Sequence, residues 1–345
     1  MNSTLRLRLI ILSAIAAVLM SSQDVNRSYA AARPEGRQNV LLLGTVTVIK
    51  PTTCPAGAAT GARCEEITVS CPGLPDLNAT LGAATPAGSA RGTIILLSGG
   101  PGTSFLNNNF ADSYVTDGFQ VVQLAWAGDW AHANAAGVKS AACRPATVFK
   151  YVFNTVHGAS RTAGFCGQGL SGGGAALAYS LADYGLADYF DYIVIASSPA
   201  VTRMDYGCDP TLYQGGPRDL CPLIPDAAYA YKAWAAALVN TWEGTTTCGE
   251  SNPPQSDIDK WEADSIVAAG ATYSYPNTSV SSFYCATSPD FSTGQGSFLL
   301  GQIVPRNYPS DVHCYSGCSG EAVWNDTDAV SETQSDMLEK CVPNH

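Results

Sequence analysis

The sequence predicts an α/β protein with a mostly parallel central sheet covered by helices on both faces and a helical insertion late in the chain. Three observations predict it. Thr93–Leu97, Phe119–Trp126 and Tyr192–Ala196 are short apolar runs without polar alternation, as expected of strands covered on both sides. Between them lie segments with apolar residues at helical spacing, so strand and helix alternate. At Thr162–Gly185 a strand ends in a glycine-packed corner and passes into an Ala-rich helix, with Ala175, Ala178, Tyr179 and Ala182 on one face.

Taken in order, residues 1–32 read as an export signal. Arg6 and Arg8 supply a basic start, Leu9–Met20 an apolar stretch too short for a membrane span, and Ala30–Ala32 a small-residue cleavage site. Residues 33–200 and 276–345 form the two parts of the α/β core, and 201–275 form an inserted helical cap. Val40–Lys50 and Glu65–Ser70 are expected to open the core as a hairpin, and Pro72–Gly92 is a Pro- and Gly-rich connection. Pro145–Val156 is expected to be a helix, with Val148, Val152 and Val156 at four-residue steps. Within the insertion, Asp226–Asn240 and Ser256–Gly270 read as helices. Val280–Ala286 and Asp311–Tyr315 resume the strands, and a helix near Ala329–Lys340 closes the chain.

With 345 residues, the chain is long enough to bury a large core. The net charge of −11 argues against nucleic acid or an anionic membrane surface as partner. Twelve cysteines fit an extracytoplasmic, disulfide-forming compartment; Cys54 with Cys64 and Cys314 with Cys318 are near enough for local loops. The pair Cys314 and Cys318 beside His313 is read as disulfide chemistry, and neither a metal nor another cofactor is expected. Asn78, Asn277 and Asn325 lie in glycosylation sequons.

The corner carries Gly169-Leu170-Ser171-Gly172-Gly173, which fits G-x-S-x-G. A nucleophilic Ser at a tight strand-to-helix turn needs neighbours without Cβ atoms, and the following helix points its free N–H groups at developing negative charge. A competing frame would put Gly169 at the corner, where no nucleophile exists. Earlier, Ser98-Gly99-Gly100-Pro101-Gly102 ends a strand in a tight loop that bares backbone N–H groups.

Together with Asp290 after a later strand, these features resemble the α/β-hydrolase fold over nearly the whole mature chain. The Ser98–Gly102 loop is similar to the HGGPG of proline iminopeptidase-like hydrolases, with Ser98 in place of His. The resemblance implies Ser171 as nucleophile, the backbone N–H groups of Gly100 and Gly172 as oxyanion hole, and Asp290 as the residue that orients the base. Asp205 is the alternative acid. The family's base follows the last strand, and there Ser316-Gly317-Cys318-Ser319-Gly320-Glu321 puts Gly320 where His is expected. The chain has four histidines. His313 is the expected base, His132 the alternative, and a site with no His base, assisted by Glu321 or by the substrate, remains open; His157 and His345 are poorly placed.

The function implied is an exported serine hydrolase that cleaves carboxylic esters, or less readily peptide amides, through an acyl-enzyme on Ser171. Tyr229, Tyr231, Trp234 and Trp242 in the insertion and Trp126 and Trp130 beside the oxyanion loop would line an apolar pocket. The alternative is a catalytically silent or repurposed relative that binds a ligand without hydrolysing it. A purely structural disulfide-rich surface protein fits the buried-strand pattern worst.

Overall fold

In a computed structural model of the chain, nine strands of the described residues form one sheet in the order β1-β2-β3-β5-β4-β6-β7-β8-β9. The structure describes residues 40–106, 108–133, 135–213, 229–287, 290–304, 312–320 and 322–344; the signal segment, Cys221, Glu321 and His345 lie outside them. Strands β1 (Thr45–Thr52), β2 (Arg63–Ser70) and β3 (Leu77–Ala84) are an antiparallel meander, and β3 joins β5 (Gln120–Trp126) antiparallel. From β5 onward every pairing is parallel, through β4 (Gly92–Leu97), β6 (Gly164–Leu170), β7 (Tyr192–Ala196), β8 (Ser279–Cys285) and β9 (Val312–Tyr315).

The apolar runs of β4 and β7 are fully buried, as is β8 with its three serines, because helices cover both faces. The described helices are α1 (Asn108–Thr116), the one-turn α2 (Val138–Ala141), α3 (Cys143–Thr155), α4 (Gly172–Ala182), α5 (Met204–Cys208), α6 (Ala233–Glu243), α7 (Gln255–Asp264), α8 (Phe291–Gln302) and α9 (Thr327–Lys340). On one face α3 and α4 pack Phe149, Val152, Leu177 and Leu181 against Ile95, Ile193 and Ile195. On the other, α1 and α9 pack Phe110, Tyr114 and Met337 against Ile94, Val194 and Phe283. Residues one apart on a strand thus serve opposite cores. None of the described helices is long and apolar enough to cross a membrane.

Several expected elements need correction. The stretch read as a connection between Pro72 and Gly92 contains β3, whose small residues Ala79, Gly82 and Ala83 disguise a strand. Helices α1, α2, α5 and α8 are not among the expected elements; α8 is FSTGQGSFLLGQ, buried almost all round, and so shows no amphipathic period. Between β7 and β8 the described residues carry α5, α6 and α7, where helices are expected over Asp226–Asn240 and Ser256–Gly270; residues 226–228 lie outside the described ones.

Five disulfides join Cys54–Cys64, Cys71–Cys143, Cys166–Cys341, Cys208–Cys248 and Cys285–Cys318 among the described residues. The first is the expected local loop. Cys318 instead pairs with Cys285, because parallel pairing of β8 with β9 brings the two strand ends together. Cys314 is disulfide-bonded as well, which leaves no thiolate for a metal beside His313.

Candidate active site

Ser171 stands between β6 and α4 with φ 46° and ψ −114°, a backbone conformation that costs on the order of 1–3 kcal/mol for a residue with a Cβ. The strand continues to Leu170, so the turn is a single residue wide. Backbone bonds hold it from both sides: Ser171 N–H donates to Ala196 O at 2.9 Å, and Ala175 N–H donates to Ser171 O at 3.0 Å. Ser198 Oγ adds a bond to the same carbonyl at 2.6 Å. Glycines make the turn possible, since a Cβ on Gly169 would lie 2.4 Å from the Gly173 carbonyl carbon. This is why Gly169 supports the corner rather than occupying it.

The loop after β4 comes up beside this serine. Gly102 N–H closes a turn on Gly99 O at 3.2 Å, and the turn requires positive φ at Gly100 (59°) and Gly102 (72°). Ser98 donates its hydroxyl to Ser104 O at 2.5 Å and so ties the loop across its base. A Cβ on Gly172 would lie 2.2 Å from Gly100 O, so the loop and the helix start are in direct backbone contact. Neither the Gly100 nor the Gly172 N–H has a protein acceptor among the described residues.

Ser171, Gly100 and Gly172 line one side of a cavity of about 390 Å³. The opposite wall comes from the insertion: Trp234, Leu238 and Trp242 recur at four-residue steps on α6, with Tyr231 ahead of them. Trp130, Val201 and Phe291 complete an apolar enclosure, and Trp234 remains half exposed at its rim. Trp126 lies outside it, packed against Gly102, and Tyr229 stacks on Tyr213 in the core of the insertion. Asp129 is the carboxylate of the lining. Its oxygens are engaged by Trp242 Nε1–H at 2.8 Å and Ala131 N–H at 3.0 Å.

Helix α6 is fastened by its last residue. Glu243 is fully buried and accepts the Val138 N–H at 2.9 Å. Burial first, and then the neighbouring Asp264 carboxyl, push the Glu243 carboxyl up to about 9, so it is protonated at neutral pH.

Asp290 follows β8 and is buried. One of its oxygens caps α8, accepting Ser292 N–H at 3.0 Å and Ser292 Oγ–H at 2.5 Å. The other, Oδ2, faces Gly320: an ideal Cβ on that glycine would lie 3.6 Å from it. Asp205, the alternative acid, is instead paired with Arg203, whose Nε donates to it at 2.9 Å.

The histidines are placed elsewhere. His313 lies within β9, in register with Phe283, and strand parity sends its ring to the face covered by α9 while Val312 and Cys314 face the other core. The ring stacks on Phe283 with centroids 4.4 Å apart, and its Nδ1 is 2.8 Å from Glu332 Oε1. Its Nε2 is 3.5 Å from Asp336 Oδ2. Burial alone would raise the Asp336 carboxyl, but bonds from His313 and Lys340 outweigh it and hold that group at about 2. These contacts give His313 a part in the packing of α9 and separate it from the cavity lining, correcting its expected place beside Ser171. His132 is not in the lining either; its carbonyl accepts from buried Arg144 at 2.7 Å. His157 bonds Thr93 Oγ1 at 3.0 Å, at the start of β4 and the far end of the strand from the Ser98 loop.

Comparison with solved structures settles the architecture. An acetyl xylan esterase from Paenibacillus sp. R4 superposes with a TM-score of 0.52 at 10% identity, over 86% of this chain and 89% of that one. A provisional esterase from Staphylococcus aureus gives 0.50 at 11% identity, over 84% and 86%. The chain has the α/β-hydrolase fold. No protein-family profile matches it, and neither does any curated protein sequence. At such identities the likeness is one of scaffold alone, and the chemistry of this chain has to be argued from its own site.

Proposed function

We propose that this protein is an exported serine hydrolase that takes neutral carboxylic esters with a bulky apolar part and transfers the acyl group to Ser171. The observation that carries the reading is the strained Ser171 turn, opening into a cavity walled by Trp130, Trp234, Leu238, Trp242 and Phe291. An apolar ester group gains about 25 cal/mol per Å² on leaving water for such a surface. The Gly100 and Gly172 N–H groups supply the oxyanion donors, each worth roughly 3 kcal/mol in kcat. Among the described lining residues Asp129 is the one carboxylate and most of the wall is apolar, which favours neutral esters over charged peptide termini. The structural neighbours named as esterases agree with this choice. Export rests on the leader and the five disulfides, which persist outside the cytosol.

A second reading is a ligand-binding relative that does not turn over. It is favoured by one observation: glycine, not histidine, faces Asp290 Oδ2. A serine hydroxyl must shed its proton as it attacks, and the loss of one triad member leaves only a residue of catalysis. The two readings part on a fluorophosphonate probe followed by mass spectrometry and on nitrophenyl esters of increasing acyl length. Labelling at Ser171 that disappears in Ser171→Ala, with turnover that improves as the acyl group grows, is expected of the hydrolase. Ester binding without labelling or turnover would establish the silent relative.

A further inference from the structure

Position 320 carries a second message, which rests on Ser171 being the nucleophile. The loop that bears it is held firmly. Cys318 is bonded to Cys285 at the end of β8, and Gly317 N–H donates to Asp326 Oδ2 at 2.9 Å, where a Cβ would intrude at 2.3 Å. Asp326 is itself fixed as the cap of α9 by bonds from Asp328 and Ala329 N–H. This framework brings residue 320 to Asp290, and, its two chain neighbours aside, the only atom of the described residues within 4 Å of an ideal Cβ there is Asp290 Oδ2. That oxygen has no hydrogen-bond partner among the described residues, although Asp290 is only 6% exposed. Ser171 ends β6 and Asp290 follows β8, with β7 between them. The ends of β6 and β8 are two strand spacings, about 10 Å, apart at the same carboxyl edge of the sheet, which sets the scale of the gap a base would bridge.

We infer that the space beside Gly320, between Asp290 and Ser171, is a binding site for a neutral nitrogen base of imidazole type that is not part of the chain, borne by the substrate or free in solution. One ring N–H donates to Asp290 Oδ2, and the other nitrogen faces Ser171 Oγ. As Oγ bonds to the ester carbonyl carbon, its proton passes to that nitrogen. When the carbonyl carbon–alkoxide bond breaks, the proton moves to the departing alkoxide oxygen. The products are an alcohol, an acyl group on Ser171 and the unchanged neutral base.

The test measures Ser171 phosphonylation by a fluorophosphonate and turnover of nitrophenyl esters, with imidazole titrated in. Saturable acceleration on the order of 10²–10⁴-fold above the free-solution imidazole reaction is expected, lost in Ser171→Ala and weakened in Asp290→Asn. An ester carrying its own imidazole, run without added base, distinguishes a substrate-borne source from a solute. Gly320→His is expected to react faster without imidazole and to become insensitive to it. His tolerates positive φ better than most residues, and folding is checked by melting temperature. Labelling of Ser171 that is unchanged by imidazole, by the imidazole-bearing ester and by a folded Gly320→His would overturn the base site while leaving the nucleophile in place. No labelling under any of these conditions would overturn both.

Discussion

Replacing Gly172 by alanine probes the contact between the helix start and the loop beside it. The added Cβ would lie 2.2 Å from Gly100 O, whereas real Cβ contacts essentially never fall below 3.0 Å, so the atoms must separate by at least the difference, 0.8 Å. Gly172 has little freedom to move. Its neighbour Ser171 is bonded to Ala196 and Ala175, and the next glycine, Gly173, is pressed against Leu97 and Ser98. The exposed Gly100 peptide therefore moves, and its N–H leaves the oxyanion position. A misplacement of about 1 Å costs on the order of 10²-fold, and complete loss of one such donor costs 10²–10³-fold, or roughly 2.7–4 kcal/mol. The Gly172→Ala rate constant for phosphonylation of Ser171 is thus expected to fall by about 10²–10³-fold. Gly100→Ala is the control. Its Cβ meets nothing within 4 Å, so only the strain of φ 59° is added, about 1–2 kcal/mol of stability, and the N–H stays in place. Wild-type labelling in Gly172→Ala, at an unchanged melting temperature, would remove Gly100 from the oxyanion hole.

Two further predictions concern what holds the cavity and the sheet together. The folded state keeps a proton on Glu243 up to about pH 9, while the unfolded chain gives it up near 4.5. Stability present below the lower value is therefore lost as pH rises towards the upper one. Glu243→Gln should flatten the dependence of melting temperature on pH across this window and be the more stable protein at its alkaline end; parallel curves would refute the assignment. Cys166–Cys341 closes a separation of 175 residues and fastens the end of α9 to β6. Chain entropy gives it roughly 5 kcal/mol, so the double Cys→Ala variant should unfold at much lower denaturant, and a loss below about 1 kcal/mol would contradict that account.

The parts of this molecule that were legible in the sequence are those where one residue type has one physical use. Runs rich in β-branched, aliphatic and aromatic residues announced β4, β5, β7 and β8, and glycines flanking Ser171 announced a turn too tight for side chains. Strand β3 was hidden because Ala and Gly carry little hydrophobic signal, and α8 because a helix buried on nearly all sides has no polar face to set a period. Cysteine pairing follows strand order, so Cys318 found Cys285 across the sheet rather than its neighbour in the chain. His313 illustrates the same limit: counting residues places it in the right region, but parity within β9 decides the face. Gly320 could be noticed from its neighbours, yet its meaning depends on a distance to Asp290 that only the fold supplies.

The Cys285–Cys318 crosslink has a consequence for how this scaffold can change. A covalent clasp two residues from position 320 lets that position exchange its side chain while the surrounding backbone keeps its course. Whatever reactivity is lost or acquired there is uncoupled from the shape of the loop, so the site is a natural socket for grafting new chemistry onto an already assembled frame.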